Sequence, residues 1–330
     1  MQSSYGHDTY PRAGASAERA FLQKSMNTLR FSAIIPSKNR ALELVITVRS
    51  LLAQTVRPAQ IVIVDQSTDE DSFLRVKAEL AGACDVRLDY IRDTSINGAA
   101  AARNCAMDHA TGEVWLFLDD DVVLEPEFIE QLLNVYSSHP EAEGVSGIIT
   151  NYRPGPLSAR LWTAVFSRGP FHDERQPVYW AAEQLRNSEP VRVRQFTSAL
   201  MSFRANTIRE MRFDSNHPGA LAEDTDFCWR LPASTLLLIA PRARLVHNRS
   251  PLGRARDHWL RAHTQSSYYL YERNLKCSIR NRICFAWLKV GYAIALVVTC
   301  AKGRSLEGWR ALRAGRSKGR AYANPGGNAG

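Results

Sequence analysis

Three consecutive carboxylates, Asp119–Asp121, directly follow the apolar run VWLFL at residues 114–118. Side by side at the end of a strand, they repel one another unless a cation or a proton compensates their charge. Their oxygens suit a hard divalent cation such as Mg²⁺ or Mn²⁺, which would also take oxygens from a diphosphate. The alternative is a solvated acidic turn that begins the next helix, where Asp and Glu are favoured. The triplet alone leaves both interpretations open.

The segments before this triplet alternate between strand-like and helix-like patterns. Short apolar runs rich in β-branched residues predict buried strands, and apolar residues at helical spacing predict helices. The predicted strands are Phe31–Pro36, Ile61–Asp65, Val86–Ile91 and Val114–Leu118, and the predicted helices are Ala41–Ala53, Asp71–Leu80 and Gly98–His109. This alternation predicts an α/β fold with a mostly parallel central sheet. Functional groups gather at the carboxyl ends of such strands, where Ser37, Asp65 and Asp119–Asp121 stand.

Two common nucleotide-binding motifs are absent from the sequence. The turn after the first predicted strand reads PSKNRA and holds no glycine, which excludes the Rossmann pattern G-x-G-x-x-G. The Walker phosphate loop is missing as well. The same turn lacks the Gly-rich basic loop expected of a nucleotidyltransferase that makes sugar nucleotides. The sequence therefore predicts an open α/β nucleotide fold of another kind.

Five blocks of the sequence, taken in order and spacing, resemble the motifs of family 2 glycosyltransferases, which have a GT-A fold. The blocks are IIPSKNR (34–40), IVIVDQSTD (61–69), NG…ARN (97–104), GEVWLFLDDD (112–121) and EDTDF…R (223–230). The match covers about residues 31–250 and looks closest to bacterial rhamnosyltransferase-like enzymes. The resemblance implies an enzyme that moves a sugar from a nucleotide-diphosphate donor to a cell-surface glycan or lipid-linked acceptor.

The resemblance also implies a role for each motif residue. The implied donor-binding set is Pro36, Ser37, Arg40, Asp65, Asn97, Gly98, Arg103, Asp119 and Asp120. Within it, Asp65 would accept a hydrogen bond from the nucleobase. Many relatives have a second Asp next, where this chain has Gln66, so the choice of uridine, thymidine or guanosine stays open. Asp119 and Asp121 would hold a divalent cation, Mg²⁺ or Mn²⁺, on the diphosphate. His247 is a further candidate ligand, although a lone histidine is more often structural.

The pair Glu223-Asp224 is the implied catalytic centre of a single displacement with inversion. An acceptor hydroxyl has a pKa far above 7, so a carboxylate must take its proton as attack proceeds. Asp224 matches the base of the family, and Glu223 would orient the acceptor or the base. The alternative is that both are ordinary acidic residues at a helix start. Three aromatic residues could stack on a sugar or lie in the core: Trp180, Phe196 and Trp229.

Charge is distributed unevenly along the chain. The net charge is +9, but residues 242–330 hold 18 Lys and Arg against three acidic residues, and residues 1–241 carry −6. A basic C-terminal region indicates an acidic partner, either an anionic membrane or nucleic acid. No nucleic-acid recognition motif accompanies the basic residues, so we expect a membrane surface and no nucleic acid.

An apolar run at residues 283–301 lies inside this basic region. With about 20 apolar residues needed to span a bilayer, the run is marginal by length. Three interpretations compete: a helix lying in the membrane surface, a true span, and a helix buried against the catalytic domain. Flanking basic residues on both sides make the orientation of a span ambiguous, which favours membrane-surface association.

Four regions follow from these patterns: a mobile leader (1–30), a GT-A catalytic domain (31–250), a helical basic arm (251–314) and a disordered tail (315–330). The six scattered cysteines form no C-x-x-C pair, which is typical of a reducing cytosol. We therefore expect a cytoplasmic enzyme, peripheral on the inner face of the cell membrane. A catalytically silent nucleotide-sugar-binding or scaffold protein on the same fold is the alternative. The joint presence of Asp119, Asp121 and Asp224 argues against it.

Overall fold

A nine-stranded sheet forms the centre of the first 250 residues. The computed structural model describes residues 29–216, 222–248, 259–301 and 305–323. The strands are β1 (Phe31–Ser37), β2 (Gln60–Asp65), β3 (Arg87–Arg92), β4 (Val114–Leu118), β5 (Val122–Leu124), β6 (Gly144–Ile149), β7 (Val191–Val193), β8 (Leu200–Arg204) and β9 (Leu237–His247). The helices of this part are α1 (Ala41–Leu52), α2 (Asp71–Leu80), α3 (Ala99–His109), α4 (Phe128–Ser138), α5 (Leu157–Phe166), α6 (Arg175–Trp180), α7 (Ala205–Ile208) and α8 (Glu223–Trp229), with a short 3₁₀ turn at Gly169–Phe171.

The first half of the sheet is parallel, with the order β3-β2-β1-β4. Strands β1, β2 and β4 are buried along their whole length, as their apolar runs predicted. Each predicted strand and helix of this half is present, with ends within one or two residues of the prediction. The predicted α/β class is confirmed.

The second half of the sheet is mixed, so the prediction of a mostly parallel sheet is wrong for the sheet as a whole: four strand pairings are parallel and four are antiparallel. Strand β8 runs antiparallel to both β4 and β6, whereas β6 and β9 are parallel. The short strand β5 pairs antiparallel with the end of β9, so that Val122 lies opposite His247. This pairing matters for the site because it brings the last residue of β9 beside the acidic triplet at the end of β4.

In the described residues after the sheet there are three helices: α9 (Trp259–Leu270), which continues into a π-helical turn at Tyr271–Leu275, then α10 (Ile279–Ala301) and α11 (Ser305–Ala323). They share a second apolar core with α5. In this core, Phe166 of α5 packs with four residues of α10: Phe285, Leu288, Tyr292 and Leu296. The described part of the basic arm is therefore helical and packs on the catalytic region rather than standing apart from it.

The predicted disordered tail is wrong for residues 315–323. Helix α11 continues to Ala323, because two glycines let it lie directly on α9. A Cβ on Gly315 would clash with the carbonyl of Arg261, and one on Gly319 with the carbonyl of Gln265. The glycines that suggested disorder are thus positions of close helix contact. Residues 324–330, and 1–28 of the predicted leader, lie outside the described residues.

Candidate active site

Asp119, Asp121 and His247 converge at the carboxyl end of the sheet. His247 Nε2 lies 2.9 Å from Asp121 Oδ1 and 3.7 Å from Asp119 Oδ2. One ligand atom from each of the three residues lies within 4.8 Å of the others. Asn151 fixes the backbone of His247 from both sides, by donating to its carbonyl at 2.9 Å and accepting from its N–H at 3.0 Å. We call these three side chains the metal corner.

The metal corner fits a divalent cation. Cis ligands of an ion such as Mg²⁺, bound at about 2.1 Å, lie roughly 3 Å apart, close to the spacing between His247 and Asp121. Two carboxylates and an imidazole are a donor set that Mn²⁺ also accepts. Asp121 and His247 are buried, so an ion between them would lie at the inner wall of the site. His247, the weakest ligand candidate by sequence, is brought to this corner by the β5–β9 pairing.

Asp120 points away from the metal corner, toward the loop after β1. Its carboxylate accepts hydrogen bonds from Ser37 Oγ and from Arg40 Nη1, each at 2.8 Å. Burial raises the pKa of Asp120 to about 6 despite the nearby Arg40 charge. Thr47 of α1 holds the main chain of the acidic turn by donating to the carbonyls of Asp120 and Val122. In the triplet, Asp119 and Asp121 therefore belong to the metal corner, whereas Asp120 binds residues of the loop after β1.

Arg103 connects the metal corner to the Glu223-Asp224 pair. This arginine is only 1% exposed, and its Nη2 donates to Asp119 Oδ1 at 3.0 Å. Its Nη1 donates to Glu223 Oε1 at 3.3 Å. Burial, followed by the charge of Asp224, raises the pKa of Glu223 to about 7. A single buried cation thus offsets two carboxylates from distant parts of the chain.

Asp224 is held in place at the start of α8. Its Oδ2 accepts from the backbone N–H of Ser198 at 3.0 Å, and its Oδ1 accepts from the N–H of Thr225 at 2.7 Å. Ala222, directly before the helix, has φ of 77°, a left-handed conformation that costs a non-glycine residue about 1 kcal/mol or more. The backbone is therefore held in an unfavourable conformation at Ala222, directly before the two carboxylates.

Arg175 is a site residue that the sequence did not indicate. Its Nη1 lies 3.7 Å from Asp224 Oδ2 and also donates to the carbonyl of Phe196. Its Nε donates to Asp173 Oδ1 at 2.8 Å. The half-buried Asp173 and Arg175 therefore form a pair behind Asp224. Arg175 stands in no recognisable motif, and only the folded contact with Asp224 identifies it.

Several residues that were predicted to contact the nucleotide lie at the ends of β1 and β2. Asp65 is fully buried, and its two oxygens accept from the N–H of Ser67 at 2.9 Å and the hydroxyl of Tyr90 at 2.6 Å. Gln66 accepts a hydrogen bond from the N–H of Gly98 at 2.8 Å. Gly98 has φ of 92°, which suits glycine at this turn. Gln66 thereby ties the loop before α3 to the end of β2.

The structure places most of the predicted site residues at strand ends and in the neighbouring loops, and one aromatic candidate in the core. The residues predicted to bind the donor lie at the end of β1 (Pro36 and Ser37), at the end of β2 (Asp65), in the loops after β1 (Arg40) and β4 (Asp119 and Asp120), in the loop before α3 (Asn97 and Gly98) and within α3 (Arg103). Of the three aromatic candidates, Phe196 is fully buried against Phe203, whereas Trp180 and Trp229 are half-buried.

Comparison with known proteins supplies the family context for this geometry. A family model described as Glycosyl transferase family 2 matches residues 32–207. The succinoglycan biosynthesis protein ExoM of Rhizobium meliloti is 28% identical over 280 residues, covering 82% of this chain and 85% of ExoM. A glucosyl-dolichyl phosphate glucuronosyltransferase of Haloferax volcanii is 36% identical over 103 residues, covering 31% of this chain and about a third (32%) of that relative.

A solved structure shows the same fold over nearly the whole chain. The mannosyltransferase PcManGT of Pyrobaculum calidifontis, determined with GDP-Man and Mn²⁺, covers 93% of this chain and 92% of its own, with 17% identity and a TM-score of 0.52. At this level of identity the likeness concerns architecture alone. The likeness also covers the C-terminal helices, which lie beyond the residues matched by the family model.

Proposed function

The chain belongs to glycosyltransferase family 2, and on this premise we propose an inverting transfer of a sugar from a nucleoside-diphosphate donor to a glycan or glycolipid hydroxyl of the cell surface. The observation that carries the proposal is the link made by Arg103. It joins Asp119 of the metal corner to Glu223 of the acidic pair within hydrogen-bond distance. A site that must hold a diphosphate on one side and deprotonate a hydroxyl on the other needs these two clusters side by side.

Asp224 is the proposed general base. As the acceptor oxygen forms its bond to the anomeric carbon, Asp224 takes the hydroxyl proton and the bond from that carbon to the diphosphate oxygen breaks. Because one displacement occurs, the configuration at the anomeric carbon inverts. The hydrogen bonds from Ser198 and Thr225 hold the Asp224 carboxylate in one orientation. Glu223, beside it, is proposed to orient the acceptor or the base.

The donor is proposed to lie along the loops at the carboxyl ends of the parallel strands. The nucleobase would lie near the end of β2, where the buried Asp65 holds Ser67 and Tyr90 in place. The guanidinium groups of Arg40 and Arg103 lie where they could offset diphosphate charge. The remaining proposed donor contacts come from Pro36, Ser37, Asn97, Gly98, Asp119 and Asp120. When bound at Asp119, Asp121 and His247, a divalent cation, Mg²⁺ or Mn²⁺, would offset the charge that develops on the leaving diphosphate.

The acceptor is proposed to be presented at an anionic membrane surface. One helix of the described residues, Ile279–Val298, is long and apolar enough to cross a bilayer, and 28% of it is buried. Its buried stripe packs on α5 and α9 through Phe285, Leu288, Tyr292 and Leu296. Its opposite stripe is exposed and consists of Ile279, Ile283, Trp287, Val290, Ile294 and Val297. A helix lying in the membrane surface accounts for both stripes.

Helix α5 of the catalytic region widens this apolar surface. Leu157, Leu161 and Val165 recur every four residues along it and are exposed. Two tryptophans join the helices: Trp162 Nε1 donates to the carbonyl of Gly291, and Trp287 Nε1 to that of Val165, each at 2.9 Å. We call the exposed apolar faces of α5 and α10 the two-helix face. Exposed basic residues are present on α10 itself, at Arg280, Arg282 and Lys289, and on α11, at Arg313 and Arg316. They suit anionic headgroups on the inner face of the cell membrane.

A thermal-shift screen tests the proposal. UDP-, dTDP- and GDP-sugars are each added with and without Mn²⁺, and one nucleotide class should raise the melting temperature in a Mn²⁺-dependent way. Asp224→Asn should keep that stabilisation and lose transfer of sugar, because donor contacts persist while the base is gone. Asp108→Asn, an exposed carboxylate paired with Arg212, is the matched control and should retain activity. Full transfer by Asp224→Asn would remove Asp224 from the role of base.

A further inference from the structure

Two buried carboxylates near α8 have no part in the proposed mechanism. Asp226 lies in the first turn of α8 and is fully buried, and Asp214, which precedes this helix in the chain, is 7% exposed. Among the described residues, the partners of both side chains lie outside the proposed donor and metal sets. Buried carboxylates persist only with charged or hydrogen-bonding partners, so the origin of those partners shows which elements the two residues hold together.

Arg273 of the π-helical turn contacts both carboxylates. Its Nε lies 2.8 Å from Asp226 Oδ1, and its Nη1 lies 3.0 Å from Asp214 Oδ2. The next residue, Asn274, donates to the same Asp226 oxygen at 2.9 Å. Tyr269, near the end of α9, donates to Asp214 Oδ2 at 3.0 Å. Three residues of the basic arm therefore bind the two carboxylates, and Arg273 bridges them.

The backbone of the arm is irregular at this contact. Side chains of consecutive residues in an α-helix do not face the same neighbour. Arg273 and Asn274 nevertheless both reach Asp226 Oδ1, and both lie in the π-helical turn. Turns of this kind are rare and are frequently found at functional sites. The departure from α-helical geometry therefore occurs where the arm meets α8.

Asp226 and Asp224 lie on opposite faces of α8. Successive residues of an α-helix are rotated by about 100°, so residues two positions apart are separated by about 200°. Asp224 accepts hydrogen bonds from Ser198 and Thr225, whereas Asp226 faces the π-helical turn. The arm therefore holds the helix of the proposed base from the side opposite to that base.

A further set of contacts connects the same region to α3. Phe213, directly before Asp214, stacks on Phe227 of α8 with ring centroids 4.1 Å apart. Asn104, directly after Arg103, donates to the carbonyl of Phe213 at 2.9 Å and accepts from its N–H at 2.8 Å. The π-helical turn is therefore connected, through α8 and the segment before it, to the helix that carries the buried guanidinium of the site.

We propose that Arg273 is a positioning residue for the catalytic pair: it holds α8 so that Asp224 keeps its orientation toward the acceptor hydroxyl. The inference rests on the proposed function, because Asp224 needs a fixed orientation only if it removes a proton. Arg273 acts through Asp226, without contact to donor or acceptor. The basic arm is then part of the catalytic unit as well as a membrane-binding region. Without Arg273, Asp226 keeps the hydrogen bonds from Arg230 and Asn274, so we expect the variant to fold.

Steady-state kinetics of nucleoside-diphosphate release from the whole chain tests this role. The donor is the nucleotide sugar selected by the thermal-shift screen, and the acceptors are water and the methyl pyranosides of gluco, galacto, manno and rhamno configuration. Arg273→Met should lower kcat about ten- to a hundredfold, because a displacement of about 1 Å in a catalytic group has an effect of this size. The KM for the donor should stay within about twofold, since Arg273 binds none of the proposed donor residues.

A double-mutant cycle distinguishes positioning from loss of folded protein. In an Asp224→Asn background, Arg273→Met should change the residual rate by less than about twofold, because the group that it positions is already gone. A purely structural defect would lower the rate by the same factor in both backgrounds. Asn274→Ala removes one hydrogen bond to Asp226 and keeps the bridge, so it should lower kcat about two- to tenfold.

The control is Arg320→Met, which removes an ion pair with Glu272 of the same π-helical turn and should leave kcat unchanged. A folded Arg273→Met variant with wild-type kcat overturns the inference, and so does an equal loss in the Asp224→Asn background. If Arg273→Met does not fold, an unchanged kcat in Asn274→Ala overturns it. Failure of the proposed function gives a different result: the wild type releases no nucleoside diphosphate from any donor, or Asp224→Asn is as fast as the wild type.

Discussion

Arg103 donates a hydrogen bond to Glu223 at 3.3 Å, across 120 residues of sequence. The same guanidinium donates to Asp119 at 3.0 Å and is almost wholly buried. A buried cation shared by two carboxylates is a costly arrangement that persists only when its geometry is satisfied. Here it fixes the distance between the metal corner and the pair of acidic residues at the start of α8.

Arg103→Met should lower the free energy of unfolding by about 3–5 kcal/mol, because it leaves two carboxylates without their buried cation. Denaturant unfolding measures the loss. The double variant Arg103→Met/Glu223→Gln should lose less than the sum of the single variants by about 1 kcal/mol, since one uncompensated charge has been removed. Strict additivity of the two losses would show that the two side chains are not coupled.

Glu223 should make stability depend on pH. Its pKa is raised from an ordinary carboxyl value to about 7, first by burial and then by Asp224. Between about pH 4.5 and 7 the folded protein holds a proton that the unfolded chain releases, so this group lowers stability as pH rises through that window. Glu223→Gln cannot titrate, and its stability relative to the wild type should therefore improve from pH 5 to pH 8 by on the order of 2 kcal/mol.

Urea unfolding at a series of pH values checks this prediction. Glu130→Gln, at a half-buried carboxylate that accepts a hydrogen bond from Thr55, serves as the control and should leave the pH profile in that window unaltered. Parallel profiles of Glu223→Gln and the wild type from pH 5 to pH 8 would mean that Glu223 is ionised throughout.

The parallel half of the fold was predictable because its strands are buried on both faces. Runs such as those of β1, β2 and β4 are apolar without interruption, and the helices between them show helical periodicity. The position of the acidic triplet at a strand end follows from the same pattern. The local sequence was therefore enough to predict which loops meet at the carboxyl ends of β1, β2 and β4.

The sequence could not predict contacts that depend on how distant segments pair in the folded protein. His247 reaches Asp121 only because β5 pairs with the end of β9, and a three-residue strand has almost no sequence signal. Arg175 meets Asp224 through a loop and a short helix with no motif. Gly315 and Gly319 were misinterpreted as disorder because a close helix contact and a flexible tail use the same residue.

Asp121→Asn should weaken Mn²⁺ binding by at least about tenfold, because it removes the charge of a buried ligand beside His247. Asp120→Asn is the matched control from the same triplet. Its carboxylate faces Ser37 and Arg40, so Mn²⁺ affinity should be nearly unchanged while the β1 loop is loosened. Titration of each variant with Mn²⁺, followed by thermal shift, distinguishes the two. Equal losses in both would indicate that the triplet binds the ion as a whole or not at all.

Leu161→Asp should reduce binding to vesicles containing anionic lipid by at least about tenfold. Leu161 is 57% exposed at the centre of the α5 stripe of the two-helix face, and insertion of a leucine into the apolar interface is worth about 2 kcal/mol. An aspartate there loses that contribution and adds repulsion from the anionic headgroups. Co-flotation with phosphatidylcholine vesicles, with and without phosphatidylglycerol, measures the effect.

Leu74→Asp is a closely matched control, because Leu74 is 58% exposed on α2, which contributes nothing to the two-helix face. It should bind vesicles like the wild type. Ile283→Asp, on the α10 stripe, should reproduce the loss seen with Leu161→Asp, since the tryptophans of α5 and α10 hold both stripes in one surface. If Ile283→Asp abolishes binding while Leu161→Asp does not, the membrane contacts α10 alone. If neither variant differs from Leu74→Asp, the two-helix face is not what holds the protein at the membrane.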